Sequence, residues 1–203
     1  MAFSDFHTIS EVQQRYRIRY DEDKILTLYD NNPPETFLKD YAFYQKNLDI
    51  FTSEAARSEI IISPLLRELF KNHYTRYSFW IQKKLHYDAY LTGTPDYMFS
   101  QKSDLGKTVL ENPIVIIIEA KKNDFEQGWG QCLAELVASQ KLNNNPTFPV
   151  YGIVTDAILW QMGQLIGNKF IKNVENLTID QLSVLYGTLD HLIGSIQLQK
   201  SKT

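Results

Sequence analysis

A mixed α/β fold, one sheet with helices on both faces, is what this chain predicts. Three features carry the prediction. The run Ile114-Val115-Ile116-Ile117-Ile118 is continuous, apolar and β-branched, the composition of a central strand buried on both sides. A second buried strand, residues 150–155, follows a helical stretch, so the two should lie parallel and be joined by a helical crossover. Apolar residues at helical spacing stand before and after this unit.

The elements can be justified in order. Thr8-x-x-Glu11 has the form of a capping box, opening a helix near Ser10 that runs through Arg17. Residues 25–29 suggest a strand, and Asp30-Asn31-Asn32-Pro33-Pro34 a turn or linker. Phe37, Leu38, Tyr41 and Tyr44 recur at helical spacing over 35–48. A further helix opens at Thr52 or Ser53 with Ala55, Ala56, Ile60 and Ile61. Pro64 should kink or restart it before Leu65, Leu66, Leu69 and Phe70. Residues 77–91 read as one or two strands, and Gly93-Thr94-Pro95 as the turn into a strand over 96–99. These earlier strands are expected to be antiparallel. Residues 100–112 form a polar hairpin loop, and 123–141 a long helix closed by Asn143-Asn144-Asn145-Pro146. Gly128 and Gly130 are costly inside a helix. Either the helix starts near Trp129, or something approaches it closely. A strand over 157–165 and an amphipathic helix over 177–198 complete the chain, with Leu182, Leu185, Leu189, Leu192 and Ile193 on one helical face.

A length of 203 residues fits one domain with a core large enough to need no staples. The core falls at about 53–165, with an N-terminal helical segment over 1–50 and the C-terminal helix beyond. The single cysteine, Cys132, has no internal disulfide partner, which suits a reducing, cytoplasmic setting. The first 19 residues do not read as a signal peptide, and no apolar run is long enough to span a membrane. The net charge of −3 is not that of a non-specific nucleic-acid coat. It leaves room for a nuclease, because metal-binding carboxylates add to the acidic count. The tryptophans Trp80, Trp129 and Trp160 are expected in the core. The four histidines show no metal-ligand spacing, and there is no phosphate-cradling loop.

The chemistry gathers where the apolar run ends, at Glu119-Ala120-Lys121. In a strand, residues two apart share a face, so Glu119 and Lys121 point together and Ala120 turns to the packed side. Strand ends of this kind are where α/β sheets build sites. Asp96, at the start of the neighbouring strand, can point into the same crevice. Two carboxylates with water suit Mg²⁺, with Mn²⁺ as the alternative ion. Lys121 could orient an attacking water or neutralise developing charge, and beside two carboxylates it should stay protonated. The following helix brings Gln131.

Thr94-Pro95-Asp96 with Glu119-Ala120-Lys121 resembles the PD-(D/E)XK nuclease superfamily, over roughly residues 53–161. The likeness is to the nuclease domain of type I restriction enzymes and related small bacterial proteins. It implies a restriction-endonuclease-like mixed sheet flanked by helices, Mg²⁺ on Asp96 and Glu119, and hydrolysis assisted by Lys121. It also implies a glutamate from the preceding helix, for which Glu54 and Glu59 are candidates. Glu59 shares a helical face with Ala56, Ser63 and Leu66, whereas Glu54 also suits a solvated first turn. Some relatives carry a glutamine on the helix after the lysine, which Gln131 matches, with Glu135 one turn on. The implied activity is metal-dependent hydrolysis of nucleic acid, DNA first. The competing expectation is a catalytically silent nucleic-acid- or protein-binding module that keeps the fold. The C-terminal leucines could serve a homodimer or larger complex, with core packing the simpler use.

Overall fold

The computed structural model describes residues 2–198. The helices are α1 (Ile9–Tyr16), α2 (Glu35–Asn47), α3 (Glu54–Arg57), α4 (Ser63–His73), α5 (Phe125–Leu142) and α6 (Leu182–Ser195). The strands are β1 (Arg19–Asp23), β2 (Tyr77–Ile81), β3 (Leu85–His86), β4 (Thr92–Gly93), β5 (Tyr97–Gln101), β6 (Glu111–Ala120), β7 (Val150–Thr155), β8 (Leu159–Ile166), β9 (Lys169–Asn173) and β10 (Leu177–Thr178). The main sheet runs β1-β9-β8-β7-β6-β5-β2, with β10 added to β8, while β3 and β4 form a separate small hairpin. Its mixed character comes from two parallel pairs, β6–β7 and β1–β9, among antiparallel ones. The mixed α/β class expected from the chain is the architecture found.

Helices cover both faces, so there are two cores. Helices α4 and α6, with Phe37 of α2, pack on Phe99, Val115, Ile116, Ile118, Trp160 and Met162. On the other face α1 and α5 cover Met98, Ile114, Ile117, Val154, Leu165 and Phe170. The assignment of Val115 and Ile116 to one core breaks strict alternation. Phe99 pairs with Ile116 and Ser100 with Ile114, so Val115 is an extra residue in β6. This bulge sets the phase of everything after it. Ile117 and Glu119 thereby face α5, and Ala120 packs in the opposite core.

Several boundaries differ from expectation. Residues 25–29 form no strand; β1 lies earlier, at Arg19–Asp23, and every residue of it is exposed. A charged edge strand carries no apolar alternation, because neither face is buried. The same polarity hid β9 (KFIKN). The expected loop over 100–112 is shorter, since β5 continues to Gln101 and β6 begins at Glu111. The last segment is not one helix: β10 and a 3₁₀ turn precede α6. Leu185, Leu189, Leu192 and Ile193 of α6 are buried within the chain, so that face is used for the core. The sheet thus recruits strands on both sides of the 53–165 core.

Pro64 does not kink a continuous α-helix. A π-helical turn, Ser58–Ile62, joins α3 to α4, and the Ser63 N–H donates to the Ser58 carbonyl. Proline lacks an N–H and its ring crowds the carbonyl four residues back, so a wider turn just before it relieves the conflict.

Gly128 and Gly130 both lie inside α5, which begins at Phe125 under an Asp124 cap. Close approach is the reason. A Cβ on Gly130 would lie 2.5 Å from the Thr8 backbone nitrogen and 2.7 Å from the Phe6 carbonyl oxygen; one on Gly128 would lie 2.7 Å from Val154 Cγ1. Gly130→Ala is therefore expected to destabilise by about 2 kcal/mol, the scale of overpacking. The usual gain of a helical Gly→Ala change has the opposite sign. A urea midpoint equal to or above that of the parent protein would refute this account.

Candidate active site: an acidic cluster with one lysine

Three elements build the cluster. The end of β6 carries Glu119, Lys121 is the first residue after it, the residue before β5 is Asp96, and α5 presents Gln131 and Glu135 one turn apart. Backbone hydrogen bonds lock the first two together. The Asp96 Oδ2 accepts from the Ala120 N–H at 2.9 Å, and the Asp96 N–H donates to Glu119 Oε1 at 3.3 Å. Asp96 is thus fixed across the end of its neighbouring strand. Its position comes from the Gly93-Thr94-Pro95 segment, which leads into β5 from the side hairpin.

Gln131 is the hub. Its Nε2 donates to Glu119 Oε2 at 2.7 Å and to Glu135 Oε1 at 3.3 Å, and its Oε1 accepts from Lys121 Nζ at 3.2 Å. Lys121 Nζ also lies 3.3 Å from Glu119 Oε2. Asp96, Glu119, Lys121 and Gln131, all expected at the site, therefore converge. Glu135, expected to line the same side, is completely buried and its Oε2 has no hydrogen-bond partner among the described residues.

Of the two helix glutamates, Glu54 is the one whose charge acts on both Asp96 and Lys121. Glu59 had the better helical-face argument, yet it lines a groove against α2 with Asp40, Tyr41 and Arg67. The π turn is the physical reason. It begins at Ser58, so the 100° spacing that placed Glu59 with Ala56 and Ser63 does not hold there.

The electrostatics follow from burial. Glu119 has no exposed surface, and burial first, then the Asp96 charge, push its pKa from 4.5 to about 7. The nearby Lys121 ammonium opposes this and is outweighed. Burial first, then the Glu119 charge, likewise push the Glu135 carboxyl well above the usual carboxylate range. Burial also raises Asp96, against the pull of the Ala120 N–H and Lys121. For Lys121, burial favours the neutral amine, but Glu119, Asp96 and Glu54 overcome it and hold the ammonium above its ordinary range. The expectation of a protonated lysine agrees with this.

A raised carboxylate costs stability once it must ionise in the folded state. The contribution of Glu119 is fully favourable below 4.5 and is lost as pH rises through about 7. Without divalent ions, unfolding free energy should fall by about 2 kcal/mol between pH 5.5 and 8, because each tenfold difference in proton affinity between the folded and unfolded chain is worth about 1.4 kcal/mol. Urea titrations in EDTA check this. A flat profile across that window would show that Glu119 is not raised.

Arg57 was not singled out by its sequence setting. It is buried at the end of α3, where its guanidinium donates to the carbonyls of Phe51 (3.2 Å), Lys122 (2.6 Å) and Asp156 (3.2 Å). It also lies 3.6 Å from the Asp156 carboxylate. It ties the loops after β6 and β7 to the helix carrying Glu54. The one signal in the chain was an arginine four residues before Ile61 on a buried helical face. Cys132 is buried in α5, as expected, and burial keeps its thiol protonated. Trp129 and Trp160 are core residues, while Trp80 is half-buried with Lys83 Nζ 5.0 Å from its ring.

Among the described residues, no group of three or more histidine, cysteine, aspartate or glutamate side chains is arranged to hold a metal. Asp96 and Glu119 are the carboxylates that could serve as donors, a pair that would suit an ion that takes one or two carboxylates and keeps several waters. Mutual repulsion among Asp96, Glu119 and Glu54, offset by one lysine, leaves a demand for positive charge that such an ion meets. No described helix is long and apolar enough to cross a membrane. Comparisons with family models, curated proteins and solved structures find no match for this chain.

Proposed function

We propose that this chain is a Mg²⁺-dependent phosphodiesterase that hydrolyses nucleic acid, DNA first, in the cytoplasm. The observation that carries the reading is the convergence of Asp96, Glu119 and Lys121 at the end of a buried strand. Asp96 and Glu119 would hold the metal, with Glu54 reaching the same region from α3. When bound, Mg²⁺ (or Mn²⁺) lowers the pKa of a water and stabilises negative charge on the phosphate. The chain's own residues do the positioning. Lys121, kept charged by its neighbours, stands ready to orient the attacking water or to meet the charge that develops. Gln131 holds both Lys121 and Glu119 by its two amide atoms. Burial beside Glu119 favours the uncharged form of Glu135, which would spare the interior a further negative charge. The turn after β2 comes to the site through the Gln82 N–H, which donates to the Asp96 carbonyl, and Lys83 and Lys84 follow it in the chain. They could meet flanking phosphates.

The test is incubation of the pure protein with supercoiled plasmid and single-stranded DNA in Mg²⁺ or Mn²⁺, beside Asp96→Ala. Nicking that needs the metal and disappears in the variant supports the reading. Calorimetry gives a second readout: Mg²⁺ should bind the parent protein and not the variant. Metal binding without any cleavage, on DNA or RNA, would favour the silent binding module. Absence of Mg²⁺ and Mn²⁺ binding would end the metal-dependent reading.

A further inference from the structure

On the far side of α5's first turn lies a separate cavity of about 480 Å³, within the range of small-molecule sites. The pairing register locates it. Glu119 pairs with Val154, and Val154 with Gln161, so these three residues stand in one row on the α5 face of the sheet. With strands about 4.8 Å apart, Gln161 lies about 10 Å from Glu119. Gly128 packs over Val154 between them, so the helix divides the two sites.

Two donors in this cavity are unspent. Gln161 accepts the Trp129 indole N–H at 2.7 Å through its Oε1. That leaves its amide nitrogen donating to no described residue. Lys172 makes no ion pair within 4.0 Å among the described residues; its close contact is the Trp129 ring, at 5.7 Å. Burial favours its neutral amine, opposed by Glu22. A half-buried ammonium with no carboxylate in contact, Glu22 acting on it only from the neighbouring strand, and an amide with free hydrogens are what an anion requires. The walls beside them are aromatic: Tyr20, Phe125 and Trp129. Thr8 and Ser10 bring hydroxyls to the rim, and Glu126 is the acidic residue there.

We infer that this cavity binds a nucleoside monophosphate, its phosphate on Lys172 and Gln161, its base against the aromatic walls, its sugar toward Thr8 and Ser10. The site stands apart from the acidic cluster and does not depend on a metal there.

The experiment is calorimetry in EDTA with adenosine monophosphate, adenosine and inorganic phosphate as probes, on the parent protein, Lys172→Met and Asp96→Asn. Adenosine monophosphate should bind with a Kd below about 1 mM, and adenosine at least tenfold more weakly. Lys172→Met keeps the side-chain stem and removes the charge. It should weaken the nucleotide at least tenfold with an unchanged circular-dichroism spectrum, and Gln161→Leu should do so in part. Asp96→Asn should bind as the parent does. The inference is overturned by no nucleotide binding at millimolar concentration, by equal affinity for adenosine, or by loss of binding in Asp96→Asn with retention in Lys172→Met. Phosphate alone matching the nucleotide would reduce the site to a simple anion site and would likewise overturn it. None of these outcomes bears on plasmid cleavage, so this inference and the proposed function fail separately.

Discussion

Lys121→Ala is expected to lower DNA nicking by about a hundredfold to a thousandfold while Mg²⁺ binding survives. Losses of that size follow removal of a preorganised charge from a site that excludes water. Of the carboxylates proposed to hold the ion, the lysine pairs with Glu119 Oε2, where it would compete with a bound cation. Its removal should therefore leave Mg²⁺ affinity equal or improved. Asp96→Asn should show the reverse, losing metal affinity and rate together. Comparing the two by single-turnover kinetics and calorimetry separates a group acting on the reaction from one holding the ion. The double variant should be hardly slower than either single one, because residues that act as a unit do not add. Full activity in Lys121→Ala would remove this residue from the mechanism.

Arg57→Met is expected to cost about 3–5 kcal/mol of folding stability, the range for removing one partner from a buried ionic contact. Met preserves much of the volume, so the loss reports the guanidinium rather than a cavity. Three carbonyls, those of Phe51, Lys122 and Asp156, lose a buried donor, and the Asp156 carboxylate loses its cation. For a chain of this length each kcal/mol moves the melting temperature by about 2–4 °C, so the fall should be about 6–20 °C. Because Lys122 and Asp156 follow β6 and β7, metal affinity should drop as well. A melting temperature within about 2 °C of the parent, the effect of less than 1 kcal/mol, would mean that other contacts hold these loops.

Much of the site was legible because its members sit at sharp local boundaries. The isoleucine run marks a buried strand, and Glu119 and Lys121 stand at its end, where period-two alternation puts them on one face. Gln131 and Glu135 are four apart, one helical turn, so either one on the sheet brings the other. Glu54 against Glu59 was not legible. The choice turned on a π-helical turn that period-3.6 reasoning does not contain. Arg57 was missed for a related reason: its partners are backbone carbonyls far away in the chain, and carbonyls have no sequence signature. The outer strands β1 and β9 were missed because β1 is exposed throughout and both are rich in charge.

What the sequence determined by itself is the alternation of buried strand, helix and buried strand, and the meeting of Asp96, Glu119 and Lys121. These depend on composition, spacing and strand alternation, which are local. The tertiary structure alone decided which carboxyls burial pushes up, which glutamate acts on the cluster, and that a second cavity lies across α5. Those depend on desolvation and on contacts between distant segments. The strength of a charge in a protein is set by what surrounds it, and only the folded chain supplies those surroundings.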